Sequence, residues 1–265
     1  MRNLKPGPAV VVGVDGSRAA VHAAVWAVDE AASRDIPLRL VCVVDPMQPA
    51  GSSVLDVRQA AARSALYDAY RAVEATGTPV KVETEILWGK PLNKLMAESR
   101  SATMICVGSM GINHARCGKG SVAGALAGAA LCPVAVIHRA ADAAAPQIKR
   151  VVAEVDNGAV LRHAFEEARL RGVPLRAISV CPSHEVDTGD GSPSARAQLD
   201  RRLARWTRLY PDVRVESKIV RGHATRYMAE QSEPGQLFVT DTHAAQVCSV
   251  YNAGSSVLTV RCGNL

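Results

Sequence analysis

The sequence predicts an α/β protein built from two tandem doubly wound (Rossmann-like) domains, each a five-stranded parallel sheet with helices on both faces. Three observations predict it. Short runs of β-branched and apolar residues alternate with stretches of helical periodicity, the signature of parallel strands buried on both faces and joined by crossover helices. The pattern occurs twice: Val10-Val-Val-Gly-Val-Asp15 answers to Val151-Val-Ala-Glu-Val-Asp156, Arg34-Asp-Ile-Pro-Leu-Arg39 to Arg171-Gly-Val-Pro-Leu-Arg176, Val80–Glu83 to Val213–Glu216 and Met104–Val107 to Leu237–Thr240. Only ten of the 265 residues are aromatic while 48% are hydrophobic, which suits thin helix–sheet layers packed with Ala and Val.

The first copy, residues 1–140, reads in order. Val10–Val14 is strand one. Ser17 is a helix N-cap, and Val21, Val25, Val28 and Ala32 fall on one helical face. Leu38–Val44 is strand two, followed by a variable loop and a helix around 56–76 with Leu66, Ala69, Tyr70 and Val73 as its inner stripe. Val80–Leu87 is strand three, Pro91–Ser99 a short helix, Thr103–Val107 strand four, Ser121–Ala130 the last helix and Val134–Ile137 the last strand. The Ala-rich stretch from Ala140 to Gln147, with Asp142 and Pro146, reads as a linker, and residues 148–265 form the second copy.

Composition excludes several classes of function. The net charge of +6 is spread as +4 over residues 1–140 and +2 over 141–265, so neither half is a polycation and nucleic acid is not the expected partner. The seven cysteines form no Cys-x-x-Cys pair and lie partly in apolar strands, as reduced core thiols of a cytoplasmic protein do; a metal site is not expected. There is no signal peptide at the start and no run long enough to span a bilayer, so a membrane partner is not expected either. No nucleophile elbow or metal-ligand spacing occurs, and no catalytic residue is assigned.

One loop carries chemistry. After strand four come Gly108, Gly111, Gly118 and Gly120, and Ser121 opens the next helix. Glycines let bare backbone approach an anion, and a helix N-terminus supplies further N–H donors. The tail Gly118-Lys-Gly-Ser121 is not a Walker A motif, because Asn113 stands where that motif needs its first glycine. A helix-capping turn that binds nothing is the alternative. His114 reads as a solvated loop side chain, Trp88 as partly packed, and Asp15 as a cap for the Ser17 helix, a role compatible with touching a ligand.

These residues resemble the universal stress protein family in its tandem two-domain form. The marks are Val-Gly-Val-Asp-Gly-Ser at 12–17, Leu-Val-Cys-Val-Val-Asp at 40–45, the Gly-x-x-Gly…Gly-Ser loop and Cys132-Pro-Val. The resemblance implies strand order 3-2-1-4-5, with the switch point between strands one and four, where many members bind ATP and some do not. It implies a cofactor site made of Gly13, Val14 and Asp15 at the end of strand one, Val43 against the adenine, Gly108, Ser109 and Gly111 along ribose and phosphates, and Gly120, Ser121 and Val122 cradling the phosphates. Mg²⁺ would accompany ATP with Asp15 and Ser121 as the visible ligands. One departure stands out: eight residues, not the family's nine, separate Gly111 from Gly120, while Arg116 and Lys119 add positive charge.

The second copy lacks the glycine pair after strand four, and Gly254-Ser255-Ser256 leads directly into the last strand. Glu154 replaces Gly13 and would repel phosphate. The second copy is therefore expected to fold alike and to bind no nucleotide. The resemblance further implies pairing through last strands, satisfied within the chain as a pseudo-dimer of the two domains, with further homo-oligomers. The expected function is a stress-response signalling module that binds ATP or another adenine nucleotide and is not a high-turnover enzyme. A scaffold acting on an unknown protein partner, and a slow ATPase using the same site, are the alternatives. Arg196, Arg201, Arg202, Arg205 and Arg208 crowd one helix beside a lone Asp200; a solvated face is the favoured reading there, an acidic partner the other.

Overall fold

The structure is a computed structural model that describes residues 7–46, 52–109, 121–138, 147–181, 193–231, 233–241 and 254–261. Its contacts divide the chain into two units, Met1–Pro146 and Gln147–Leu265. Residues 139–146, which hold the expected linker from Ala140 up to but not including Gln147, lie outside the described residues, as do Gly111, Gly118 and Gly120 of the glycine loop with His114, Arg116 and Lys119.

Unit 1 contains β1 (Val10–Gly13), α1 (Arg18–Ser33), β2 (Leu38–Val44), α2 (Ser52–Glu74), β3 (Val82–Trp88), α3 (Pro91–Glu98), β4 (Met104–Gly108), α4 (Val122–Ala129) and β5 (Val134–Ile137). Its strands lie in the order β3-β2-β1-β4-β5, every described pair parallel. The central strands are sealed on both faces: Val10, Val11, Val12, Ile105 and Cys106 have no exposed surface. The direction in which successive strands are added reverses between β1 and β4, because β1 crosses over to β2 on one side and β4 to β5 on the other. The C-terminal ends of β1 and β4 therefore diverge into a crevice, where ligands of such sheets bind.

Helix α1 departs from the expected stripe. Val21, Val25 and Ala32 are only half-buried, while Ala19, Ala20, Ala23, Ala24, Trp26, Ala27 and Ala31 join Val28 in the core. The reason is close approach to the sheet: a Cβ on Gly108 would lie 2.6 Å from the backbone carbon of Ala19 and 2.7 Å from its Cβ. Methyl groups fit where valines would force the layers apart. In α2 the expected Leu66, Ala69 and Val73 are buried, but Tyr70 reaches outward and its hydroxyl donates to Glu74 at 2.9 Å.

Unit 2 contains β6 (Arg150–Glu154), α5 (Gly158–Arg171), β7 (Leu175–Cys181), α6 (Pro193–Leu209), β8 (Val215–Arg221), α7 (Ala224–Glu230), β9 (Gln236–Asp241) and β10 (Ser256–Val260). Its parallel strands run β8-β7-β6-β9-β10, the same order as in unit 1. Even an ion pair repeats in register. Arg39 stands opposite Glu83 across β2 and β3, and Arg176 opposite Glu216 across β7 and β8. Arg39 is the more deeply held: at 8% exposed it reaches Glu85 on β3 and Glu98 on α3.

Among the described residues no helix is long and apolar enough to cross a membrane. The three cysteines whose surroundings are described, Cys42, Cys106 and Cys132, are buried and form no disulfide among the described residues.

Candidate functional site

The residues singled out at the ends of β1, β2 and β4 meet at one end of the unit 1 sheet. Gly13 closes β1 in register with Val41 of β2 and Val107 of β4. Val14 continues the ladder, its amide donating to the Val41 carbonyl at 2.8 Å, and is buried at 3% exposure. Asp15 follows and is exposed at the crevice. Its Oδ1 accepts the Ser17 amide at 3.0 Å, and Ser17 in turn caps α1 through Ala20 at 3.1 Å. Asp15 thus performs the capping expected of it and still presents its charge to the opening. That charge is felt across the strands: burial and then Asp15 push the Cys42 thiol up to about 11. The thiol beside the crevice is therefore protonated and unreactive at neutral pH. Val43, half-buried, lies one residue further along β2.

Gly108 ends β4. Its bare Cα makes room for the first turn of α1, as the distances to Ala19 show, so packing alone accounts for a glycine there. Ser109 is 7% exposed; its amide donates to the Ile137 carbonyl at 2.9 Å, and its hydroxyl lies 3.4 Å from Nδ1 of His138. Burial lowers the His138 pKa, so its ring is neutral at physiological pH. Sequence reasoning did not weigh His138; its signal is position, one residue past β5, where the register of β4 and β5 sets it beside Ser109.

Ser121 is the N-cap of α4. Its hydroxyl accepts the Gly124 amide at 3.0 Å and its carbonyl the Ala125 amide at 3.1 Å. The amides of Val122 and Ala123, at the first two helical positions, have no acceptor within the helix. Because α4 runs back from the C-terminal end of β4 to the start of β5, this donor pair and the positive end of the helix sit at the same end of the sheet as Asp15 and Ser109.

The corresponding crevice of unit 2 carries opposite chemistry. Glu154 closes β6 where Gly13 closes β1, and Asp241 closes β9 where Gly108 closes β4. Burial, and then Asp241, raise the Glu154 pKa, so the two carboxylates stand within electrostatic reach of each other. Gly254 and Ser255 lead straight into β10, with no helix between them and the strand. Residues 242–253 lie outside the described residues. Also among the described residues, no group of three His, Cys, Asp or Glu side chains could hold a metal ion.

The family model for the universal stress protein family matches residues 8–138. Over its whole length the chain is 60% identical to the universal stress protein Rv3134c of Mycobacterium tuberculosis, covering 100% of both chains. It is 32% identical to a universal stress protein of Mycolicibacterium smegmatis, over 88% of this chain and 86% of that one. Among solved structures it matches a universal stress protein from Archaeoglobus fulgidus with a TM-score of 0.72 at 16% identity, covering 97% of each chain. The chain belongs to the universal stress protein family.

Proposed function

We propose that this universal stress protein binds an adenine nucleotide, ATP with or without Mg²⁺, in unit 1, and that it acts as a nucleotide-responsive signalling module in the stress response rather than as a high-turnover enzyme. The observation that carries the reading is the convergence of Asp15, Ser109 and the Ser121-capped start of α4 on the crevice between β1 and β4. The residues present fit the ligand. The Val122 and Ala123 amides, which have no acceptor within α4, suit phosphate oxygens, and half-buried Val43 offers an apolar face to a base. With no protein cage for a metal among the described residues, Mg²⁺ would arrive on the phosphates and meet Asp15. A cytoplasmic location and self-association belong to the same reading and rest on family membership.

The loop between Gly111 and Gly120, one residue shorter than the family's ATP-binding spacing, favours a second reading: a scaffold that works through protein contacts alone. Denaturing the purified protein and assaying the supernatant for adenine nucleotide, followed by calorimetric titration with ATP, separates the two. One nucleotide per chain is expected, with binding lost in Gly120→Glu while the circular dichroism spectrum is unchanged. A chain that releases none and takes up none at millimolar ATP is a scaffold. Two nucleotides per chain would show that the Glu154–Asp241 crevice does not repel phosphate.

A further inference from the structure

Helix α6 and its counterpart α2 occupy the same position in the two units, between the second and third strands, yet their charge differs. In α2, Arg58, Arg63 and Arg71 are balanced by Asp56, Asp68 and Glu74. Two of those arginines are also engaged: Arg71 pairs with Glu74 at 3.1 Å, and Arg58 donates to the Asp45 carbonyl at 3.1 Å. In α6, Arg196, Arg201, Arg202, Arg205 and Arg208 stand against Asp200 alone.

Three of these arginines lie away from the core of the unit. Leu199 and Leu203 are the buried residues of α6, with Trp206 half-buried beside them. At 100° per residue, Arg201, Arg205 and Arg208 fall on the side opposite that stripe, and all three are exposed. Arg202 is taken by Asp156. Arg208 donates its Nε to the Ala204 carbonyl at 3.0 Å, and its terminal nitrogens make no ion pair or hydrogen bond among the described residues. Arg201 and Arg205 have no ion pair or hydrogen bond among the described residues. Residues 201 and 205 are i,i+4 neighbours and 205 and 208 i,i+3 neighbours, so the ridge repels itself and weakens the helix it sits on. Solubility alone would be served equally well by glutamates interleaved at these positions.

We propose that this ridge is a docking surface for an acidic helical segment of a partner protein. Arg201, Arg205 and Arg208 span about 10.5 Å along the helix, the spacing of carboxylates at i, i+4 and i+7 on a facing helix. Guanidinium groups take carboxylates in bidentate pairs, and arginine is over-represented where binding energy concentrates. Leu209, 56% exposed beside the ridge, adds an apolar contact at its end. A nucleic acid fits less well. The helix's own aromatic side chain, Trp206, is stacked on Phe165, and Tyr210 just past its end packs tilted against the same ring with Arg169 over its face, so both rings are already engaged within the unit. A lipid surface also fits poorly, because the leucines that would insert, Leu199 and Leu203, are buried in the unit's own core.

The test uses the full chain and a fluorescent helical peptide carrying glutamates at i, i+4 and i+7, with a glutamine version of the same peptide as control. Binding of the glutamate peptide is expected, weakening about tenfold between about 50 and about 200 mM salt, with no binding of the glutamine peptide. The triple variant R201E, R205E, R208E is expected to lose at least about tenfold in affinity, while the pair R63E, R71E on α2 leaves it unchanged. The reversed charges face solvent, so the thermal midpoint is expected to hold. If the reversal does unfold the chain, R201Q, R205Q, R208Q carries the same comparison. The proposal is overturned if the glutamate peptide does not bind, if the ridge variants bind it as well as the native chain, or if single-stranded RNA or phosphatidylglycerol vesicles bind the ridge more tightly than the peptide does.

Discussion

At the crevice of unit 1 the first and fourth strands end in Gly13 and Gly108; at the same points of unit 2 they end in Glu154 and Asp241. The strand order around the two crevices is the same. The difference teaches that the sheet does not determine the ligand. Two residues per unit set the charge at the switch point, and at Gly108 the choice is also constrained by how closely a helix lies against the strand.

Exchanging the strand-end residues is the sharpest way to break this comparison. Gly108→Asp would drive a side chain into the backbone of Ala19 and Ala20 and is expected to cost about 3 kcal/mol in urea unfolding. The reverse exchange, Asp241→Gly, relieves a repulsion and should change stability by less than about 1 kcal/mol. Equal costs in the two directions would mean that the units pack alike at this point, and that the Gly108 contact is not what keeps unit 1 free of a side chain there.

The repeated ion pair gives a smaller contrast. Arg39→Met should cost about 2 kcal/mol, because it strands Glu98 in a mostly buried setting while Glu85 can turn to solvent. Arg176→Met, which removes a more exposed arginine from Glu216, should cost less than about 1 kcal/mol. Matching losses by chemical denaturation would show the two networks to be energetically equivalent.

The smallest effect depends on pH. The Glu154 pKa is raised in the folded chain, first by burial and then by Asp241, so the native state holds its proton more tightly than the unfolded state does. This carboxylate therefore costs stability as pH rises from the ordinary carboxylate range through its folded pKa, and the cost is complete above that. Glu154→Gln should accordingly raise the thermal midpoint at neutral pH. The gain should vanish below about pH 4, where the carboxyl is protonated in both states. A gain that persists in acid would assign the effect to packing.

Much of the fold was legible because the repeat and the β-branched runs are local signals. Leu38–Val44 and Val134–Ile137 occupy the spans expected of them, and Ser17 and Ser121 cap the helices they were expected to open. The inner face of α1 was not legible. Hydrophobicity ranks valine above alanine, but Gly108, far downstream in the sequence, brings the first turn of the helix so close that only the methyl groups of Ala19 and Ala20 fit there, and no local pattern carries that distance. The site divides in the same way. Asp15 and Ser121 announce themselves through capping chemistry within three residues of themselves, whereas the Ser109–His138 contact spans 29 residues and exists only because β4 and β5 pair in one register. Gly108, which the resemblance sets along ribose and phosphates, is also required by the first turn of α1 packed against it.

The contact between Gly108 and α1 also has a mechanical meaning. Long side chains between two elements act as a cushion, changing rotamer to absorb small displacements. Between the end of β4 and the first turn of α1 there is no such cushion: backbone meets backbone and methyl group. The joint is stiff. A shift at the end of β4 would pass undiminished into the turn that holds Asp15 and Ser17, and along the rod of α1 to Arg34 at its far end, some 25 Å away by helical rise (about 1.5 Å per residue).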